Sequence, residues 1–409
     1  MLPIPEEKEN DHKRLGRELD LFVFSDLVGS GLPLWTPRGT LLRNALDNFV
    51  WELRQKHGYQ KVEIPHITKK ELYETSGHWD KFKDELFHIT TREGHEFVVK
   101  PMNCPHHTQI YARKPMSYRD MPQRYANSTM CYRDEQTGEL NGLSRVRAFT
   151  QDDAHVFCRE AQVKEEFLKI WDVIETFYKT FGFELKIRLS FHDPKHPEKF
   201  LGDKDRWKQA EDTLRSIAEE KGAETYDGIG EAAFYGPKLD FMAKDNLGRE
   251  WQVATIQLDM NMPERFDLTC VNEKGEKERI VMIHAAIMGS IERFLSVLIE
   301  HYAGAFPTWL APVQVAILPI GEAHQEYARK IADSLIGKNI RAELDADNES
   351  LGKRIRKAKV QKVPYFIVIG DKEVEGENVS LEHRVDGSLG AKTIDECIDI
   401  LEKIITSKQ

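Results

Sequence analysis

The chain has 409 residues, 40% of them apolar and 31% charged, with a formal net charge of −10 at pH 7. That is room for two or three domains with full cores. No run of about 18 apolar residues offers a membrane span, and the first twenty residues are too charged for a secretory signal. Five scattered cysteines argue against a disulfide framework and for a reducing, cytoplasmic setting.

In chain order, residues 1–27 form a charged lead-in. Residues 41–58 carry Leu42, Ala45, Phe49 and Leu53 at helical spacing, with Gly58 as a stop. YQKVEIPHI (59–67) reads as a strand ending at a proline. The stretch 128–157 centres on QTGELNG, which has turn chemistry, so its flanks read as two arms of a hairpin-like pair. Alternation puts Arg145, Arg147, Phe149, Gln151, Asp153 and His155 on one face of the second arm. Arg133 and Glu135 share a face of the first. Polar groups on a covered sheet face need a ligand or each other. Guanidinium forks suit phosphate oxygens, and an aromatic ring suits a purine face. An internal salt-bridge network of Arg145, Arg147, Asp152 and Asp153 explains the same pattern equally well.

Residues 163–182 are an amphipathic helix, with Phe167, Trp171, Ile174, Tyr178 and Phe181 at steps of three and four. LKIRLSF (185–191) alternates as a half-buried strand, and 289–302 is a further helix. AGAFPTWLAP (303–312) reads as a domain boundary. Beyond it come a strand (313–320), a helix (323–336), a strand (340–344), a helix (350–359) and a strand (363–370). That alternation predicts a small α/β layer structure with a largely parallel sheet. The first 311 residues read instead as α+β, an antiparallel sheet decorated by long helices. Residues 353–362 hold six basic side chains and no acid. The run fits a solvated helix face or a nucleic-acid contact.

YRDE (132–135), a loop and RAFTQDDAH (147–155) resemble motif 2 of the class II aminoacyl-tRNA synthetases in its threonyl form. GSIERF (289–294) resembles motif 3, and VEIPHI with Pro65 motif 1. KPMNCPHH (100–107), SGHWDKF (76–82), FYGPKLDF (234–241) and WQVATIQLD (251–259) are similar to further threonyl signatures. Seven ordered motifs over residues 11–409 make coincidence very improbable. The resemblance implies a class II catalytic domain (28–311) and a small α/β anticodon-binding domain (312–409). Its activity would be ATP-dependent activation of threonine and transfer to threonine tRNA. The expected partners are ATP, threonine, that tRNA and a second copy in a homodimer, with no membrane.

The resemblance also implies one zinc per subunit on Cys104, His155 and His284, a donor set that leaves a position for substrate. Asp153 would hold the threonine hydroxyl, with Gln151, Tyr235, Gln257 and Met102 nearby. Arg133 would grip the α-phosphate. Phe149 and Arg293 would sandwich adenine, with Glu135 accepting from its amino group and Arg145 helping to hold the outer phosphates. Lys238, Gln252, Thr255 and Ser290 would line the ATP side, and Mg2+ would accompany the nucleotide. His78 would serve the transfer step as a base. Asn348, Glu373 and Arg384 match anticodon-reading positions, which turns the basic run toward tRNA. A synthetase-like regulator that binds without charging is the alternative, opposed by the retained arginines and ligands. A zinc hydrolase with Asp153 as the acid fits the arginine-rich face less well.

Several positions depart from the family. His106 stands for a usual Gly, Ala285 for an Arg, Tyr132 for a His and Glu382 for an Arg. Either the sequence is truncated ahead of the catalytic module or the natural protein lacks the editing domain of most bacterial relatives, in which case serine is expected to be misloaded.

Overall fold

Thr36 and Pro37 start the first long helix, α1 (Pro37–Lys56). The Thr36 hydroxyl accepts the Gly39 N–H at 3.1 Å, and a proline at the first helical position loses no useful donor. The helix therefore begins four residues earlier than the apolar spacing suggested. This computed structural model describes residues 10–244 and 248–408, so the first nine residues of the lead-in lie outside it. The expected strand 59–67 shrinks to β1 (Gln60–Lys61), with a separate strand only from Ile67. Pro65 between them has no N–H to give a ladder.

Chain contacts divide the molecule into two compact units. One holds Phe24–Pro33 and Asp47–Val297; the other holds the segments ending at Val23, Leu34–Leu46 and Leu298–Gln409. In the first, α2 (Cys104–Ala112) precedes a long pair of strands, β2 (Gln123–Tyr132) and β3 (Ala148–Cys158). After these come α3 (Val163–Thr180), β4 (Leu185–Phe191), α4 (Lys204–Glu220), β5 (Thr225–Ile229), β6 (Lys238–Lys244), β7 (Glu250–Asp259), β8 (Val281–Ser290) and α5 (Ile291–His301). The eight strands form one sheet in the order β5-β4-β6-β7-β8-β3-β2-β1. It is antiparallel except at its two edges, where β5 on β4 and β1 on β2 run parallel.

The apolar spacing of α3 translates into burial of Phe167, Trp171, Ile174 and Tyr178 against one face of this sheet. Trp171 meets Phe241 of β6 with ring centroids 5.0 Å apart. The Tyr178 hydroxyl donates to Val253 O of β7 and Ile287 O of β8. Each such side chain contributes about 1.5–3 kcal/mol. With that face closed by helices, the polar residues of alternate parity look out of the other.

One correction concerns the hairpin. β3 begins at Ala148, so Arg145 and Arg147 lie in the connection and not on the sheet face. Asp152 points away from Asp153, to the Arg54 guanidinium and the Ile287 and Met288 amides. The supposed network of Arg145, Arg147, Asp152 and Asp153 does not form. Arg145 pairs instead with Glu135 and Glu139.

In the other unit a five-stranded sheet is built from β9 (Val315–Pro319), β10 (Ala342–Leu344), β11 (Tyr365–Ile369), β12 (Val379–His383) and β13 (Gly387–Lys392). β10, β9 and β11 are parallel, as the alternation predicts. β12 and β13 add antiparallel pairs, so the sheet is mixed rather than largely parallel. Helix α6 (Gln325–Gly337) and α8 (Ile394–Ser407) close one apolar core with Val315, Ile317, Ile367 and Leu381. α7 (Leu351–Val360) packs with Ala316, Leu318 and Phe366 in another. Among the described residues no helix is long and apolar enough to cross a membrane.

Candidate active site

Strand register explains how three distant residues meet. His155 of β3 lies directly opposite His284 of β8, which lies opposite Gln257 of β7. Cys104 opens α2, followed by a proline suited to a helix start. One donor atom from each of Cys104, His155 and His284 lies within 4.8 Å of the others, and all three residues are buried. His284 Nε2 is 2.9 Å from Asp259 Oδ2, which leaves Nδ1 for the centre. His155 Nδ1 is 2.8 Å from His107 Nδ1, and its Nε2 is buried with no hydrogen-bond partner. Such an orphan costs about 1–3 kcal/mol, and a cation would satisfy it. One sulfur and two imidazoles suit zinc, and Asp259 and His107 are the outer partners that orient such ligands. Burial raises the Cys104 thiol and lowers the His155 imidazole, so a thiolate here requires a positive charge beside it.

Met102, Arg133, Gln151, Asp153, Tyr235, Thr255 and Gln257 line the same cavity, together with Ala285 and Ala286. Asn103 Nδ2 donates to Asp153 Oδ2 at 3.1 Å. The buried Lys100 ammonium in turn donates to Asn103 Oδ1 at 2.9 Å and Thr129 Oγ1 at 2.8 Å. Burial pushes the Asp153 carboxyl up. Tyr235 stacks on His284 at 4.8 Å and 21°. The next residue must be glycine, because a Cβ on Gly236 would fall 1.8 Å from Leu258 O. His78 sits below with Nδ1 2.8 Å from Ser76 Oγ and Nε2 3.7 Å from Cys104 Sγ. Burial pushes its pKa down to about 3, so the ring is neutral at ordinary pH.

Toward the hairpin connection, the Arg133 guanidinium lies over the Phe149 ring at 5.1 Å. Glu135 accepts from Arg145 Nε at 2.8 Å. Arg293 is held by Ser144 O, and its own N–H donates to Ser290 Oγ, both at 3.2 Å. Burial lowers the Arg293 pKa, and the nearby Arg133 and Arg145 charges add to the effect. Clustered guanidiniums of this kind call for a polyanion. Lys238 and Gln252 stand apart from them, both donating to Asp240.

A family model of the tRNA synthetase class II core domain (G, H, P, S and T) matches residues 86–302. An anticodon binding domain model matches residues 314–404. The chain belongs to the class II tRNA synthetases. It is 48% identical over 408 residues to a threonine–tRNA ligase of Cytophaga hutchinsonii, covering 99% of this chain and 63% of that protein. A second ligase of that name, from Porphyromonas gingivalis, is 48% identical over 403 residues, covering 98% and 62%. The chain thus spans less than two thirds of the length of these curated relatives. A solved structure described as the RNA binding domain of threonyl-tRNA synthetase from Cryptosporidium parvum Iowa II superposes with a TM-score of 0.92. It is 36% identical and covers 96% of this chain and 98% of that one.

The anticodon-side residues fare unevenly in this synthetase. Asn348 is exposed on a bend before α7. The Glu373 carboxylate accepts from Gly370 N at 2.9 Å and Ser380 Oγ at 2.6 Å. Arg384 lies past the end of β12 and donates to the carbonyls of Lys362, Ala305 and Phe306. Its fork is thereby engaged in tying down chain segments. Arg354 is buried and bonds Asp345 O, which removes it from the basic run. Of the departures, His106 is buried with neither ring nitrogen partnered, and Ala285 sits in the cavity wall.

Sequence reasoning passed over Lys100, Asn103, His107, Asp240 and Asp259. Asp259 and Asp240 were within reach. Each lies two residues along a strand from a named site residue, Gln257 and Lys238, and so shares its face.

Proposed function

We propose that the chain activates threonine with ATP to threonyl-adenylate and transfers the threonyl group to threonine tRNA. The observation that carries this reading is the convergence of Cys104, His155 and His284 in a cavity that Arg133 and Asp153 also line. When bound, zinc on these three would act as a Lewis acid toward the amino and hydroxyl groups of the substrate. Asp153, fixed by Asn103, would accept from the threonine hydroxyl. Arg133 would bind the α-phosphate and stabilise charge in the transition state. Phe149 and Arg293 would hold adenine, Glu135 its amino group, and Arg145 the outer phosphates with Mg2+. His78 would take part in the transfer step, where burial keeps its ring neutral and makes it a weak base. Lys353, Arg356, Lys357, Lys359 and Lys362, all exposed, would meet tRNA phosphates, with Asn348 and Glu373 nearby.

The same reading takes 28–311 as the catalytic and 312–409 as the anticodon-binding part, in a cytoplasmic homodimer. Five free, buried cysteines suit a reducing compartment. Exposed Phe24, Leu27 and Val28 form an apolar stretch that a second copy would cover.

Threonine-dependent ATP–pyrophosphate exchange tests the reading. Exchange should appear with threonine and disappear after zinc is removed by a chelator. Valine should be rejected by on the order of 10⁴ or more, while serine, which keeps the hydroxyl, should lose only about 10–200-fold. Equal use of valine and threonine would refute it.

A further inference from the structure

One buried carboxylate next to the cavity has no part in the roles above. Asp240 is wholly buried. Its Oδ2 accepts from Arg188 at 2.9 Å, Ser190 Oγ at 2.7 Å and Lys238 Nζ at 2.8 Å. Its Oδ1 accepts from Gln252 Nε2 at 2.9 Å and Thr255 Oγ1 at 2.8 Å. A carboxylate offers about four lone-pair sites, so these donors saturate it.

The consequence lies along β7. Because Thr255 gives its proton to Asp240, it presents only lone pairs to its other neighbour. Gln257 Nε2 donates to that oxygen at 3.4 Å, the longest link. The amide is then turned with Oε1 outward, where it accepts the Tyr235 hydroxyl proton. Tyr235, stacked on His284, is left with its oxygen lone pairs as the group it can offer the cavity. Every link has one polarity. A flipped Gln257 amide would leave no proton between its oxygen and Thr255, and would donate to Tyr235, turning the phenol proton toward the cavity instead.

We propose that Asp240 is a positioning residue for amino-acid recognition, fixing the direction of the Thr255–Gln257–Tyr235 chain so that Tyr235 faces the cavity as an acceptor. The complementary ligand group is an N–H or O–H donor, as in the amino end of an amino alcohol. The inference rests on the ligase reading.

The test uses the full chain and threonine-dependent exchange, with KM for threonine and for ATP determined separately. Thr255→Val removes the hydroxyl and keeps the shape. It should raise the threonine KM at least tenfold, and Thr255→Ser should restore it to within threefold of the unaltered chain. Asp240→Asn should act in the same direction. Combined with Thr255→Val, it should be no worse than the worse single variant, since both cut one chain. If Asp240→Asn does not fold, the Val and Ser pair decides alone. An unchanged threonine KM in Thr255→Val, a rise confined to the ATP KM, or effects that multiply in the double variant would each overturn the proposal. An unaltered chain with no threonine-dependent exchange would instead sink the ligase reading, and the role of Asp240 with it.

Discussion

On the eight-stranded sheet the charged groups of the site are buried and held by partners two deep; on the five-stranded sheet the basic groups of α7 stand in solvent. Lys100, Asn103 and Asp153 form one buried chain, and Asp259 and His284 another. By contrast, Lys353 pairs with Glu349, and Lys357 with Asp347, across the exposed start of α7. Exposed pairs are worth about 0–1 kcal/mol and are screened by salt. A buried polar group stripped of its partner costs more. One region is organised before any ligand arrives, and in the other weak exposed partners would have to give way for one to bind.

Three experiments sharpen or break that contrast. The largest effect should come from a metal-ligand change. Cys104→Ala or His284→Ala should abolish stoichiometric zinc by elemental analysis and lower threonine-dependent exchange on the order of 10³-fold or more. Retention of both metal and exchange would remove the buried site from the comparison. An intermediate effect is expected one layer out. Asp259→Asn should weaken zinc retention against a chelator by about 10–100-fold, because His284 loses the carboxylate that orients it. Wild-type retention in this variant would show that the outer partner is dispensable. The smallest effect belongs to α7. Lys359→Ala should raise the KM for tRNA a few-fold and reduce the salt slope of tRNA binding by about one unit. Activation without tRNA should change less than charging. A change in salt slope indistinguishable from zero would take Lys359 out of the tRNA surface.

Much of this architecture was legible along the chain. The period of Phe167, Trp171, Ile174 and Tyr178 marks α3, and the alternation of LKIRLSF marks β4, because each pattern repeats within one element. The seven ordered motifs, taken by resemblance, pointed to Cys104, His155 and His284, which the fold brings together, and to residues that line the cavity. Errors came where a local rule ran past its element. Alternation carried Arg145 and Arg147 onto a strand that starts only at Ala148, and a basic run counted Arg354, which packs inward.

What the sequence by itself determined is which short segments are helix, strand or turn, and that arginines, a thiol and imidazoles are available on them. Only the tertiary structure decided that His155 faces His284 across two strands, that His107 and Asp259 stand behind them, and that five donors converge on Asp240. The reason is physical. Local propensity acts over a few residues, whereas strand register and helix docking set which distant side chains share a buried space, and no neighbour in the chain carries that information.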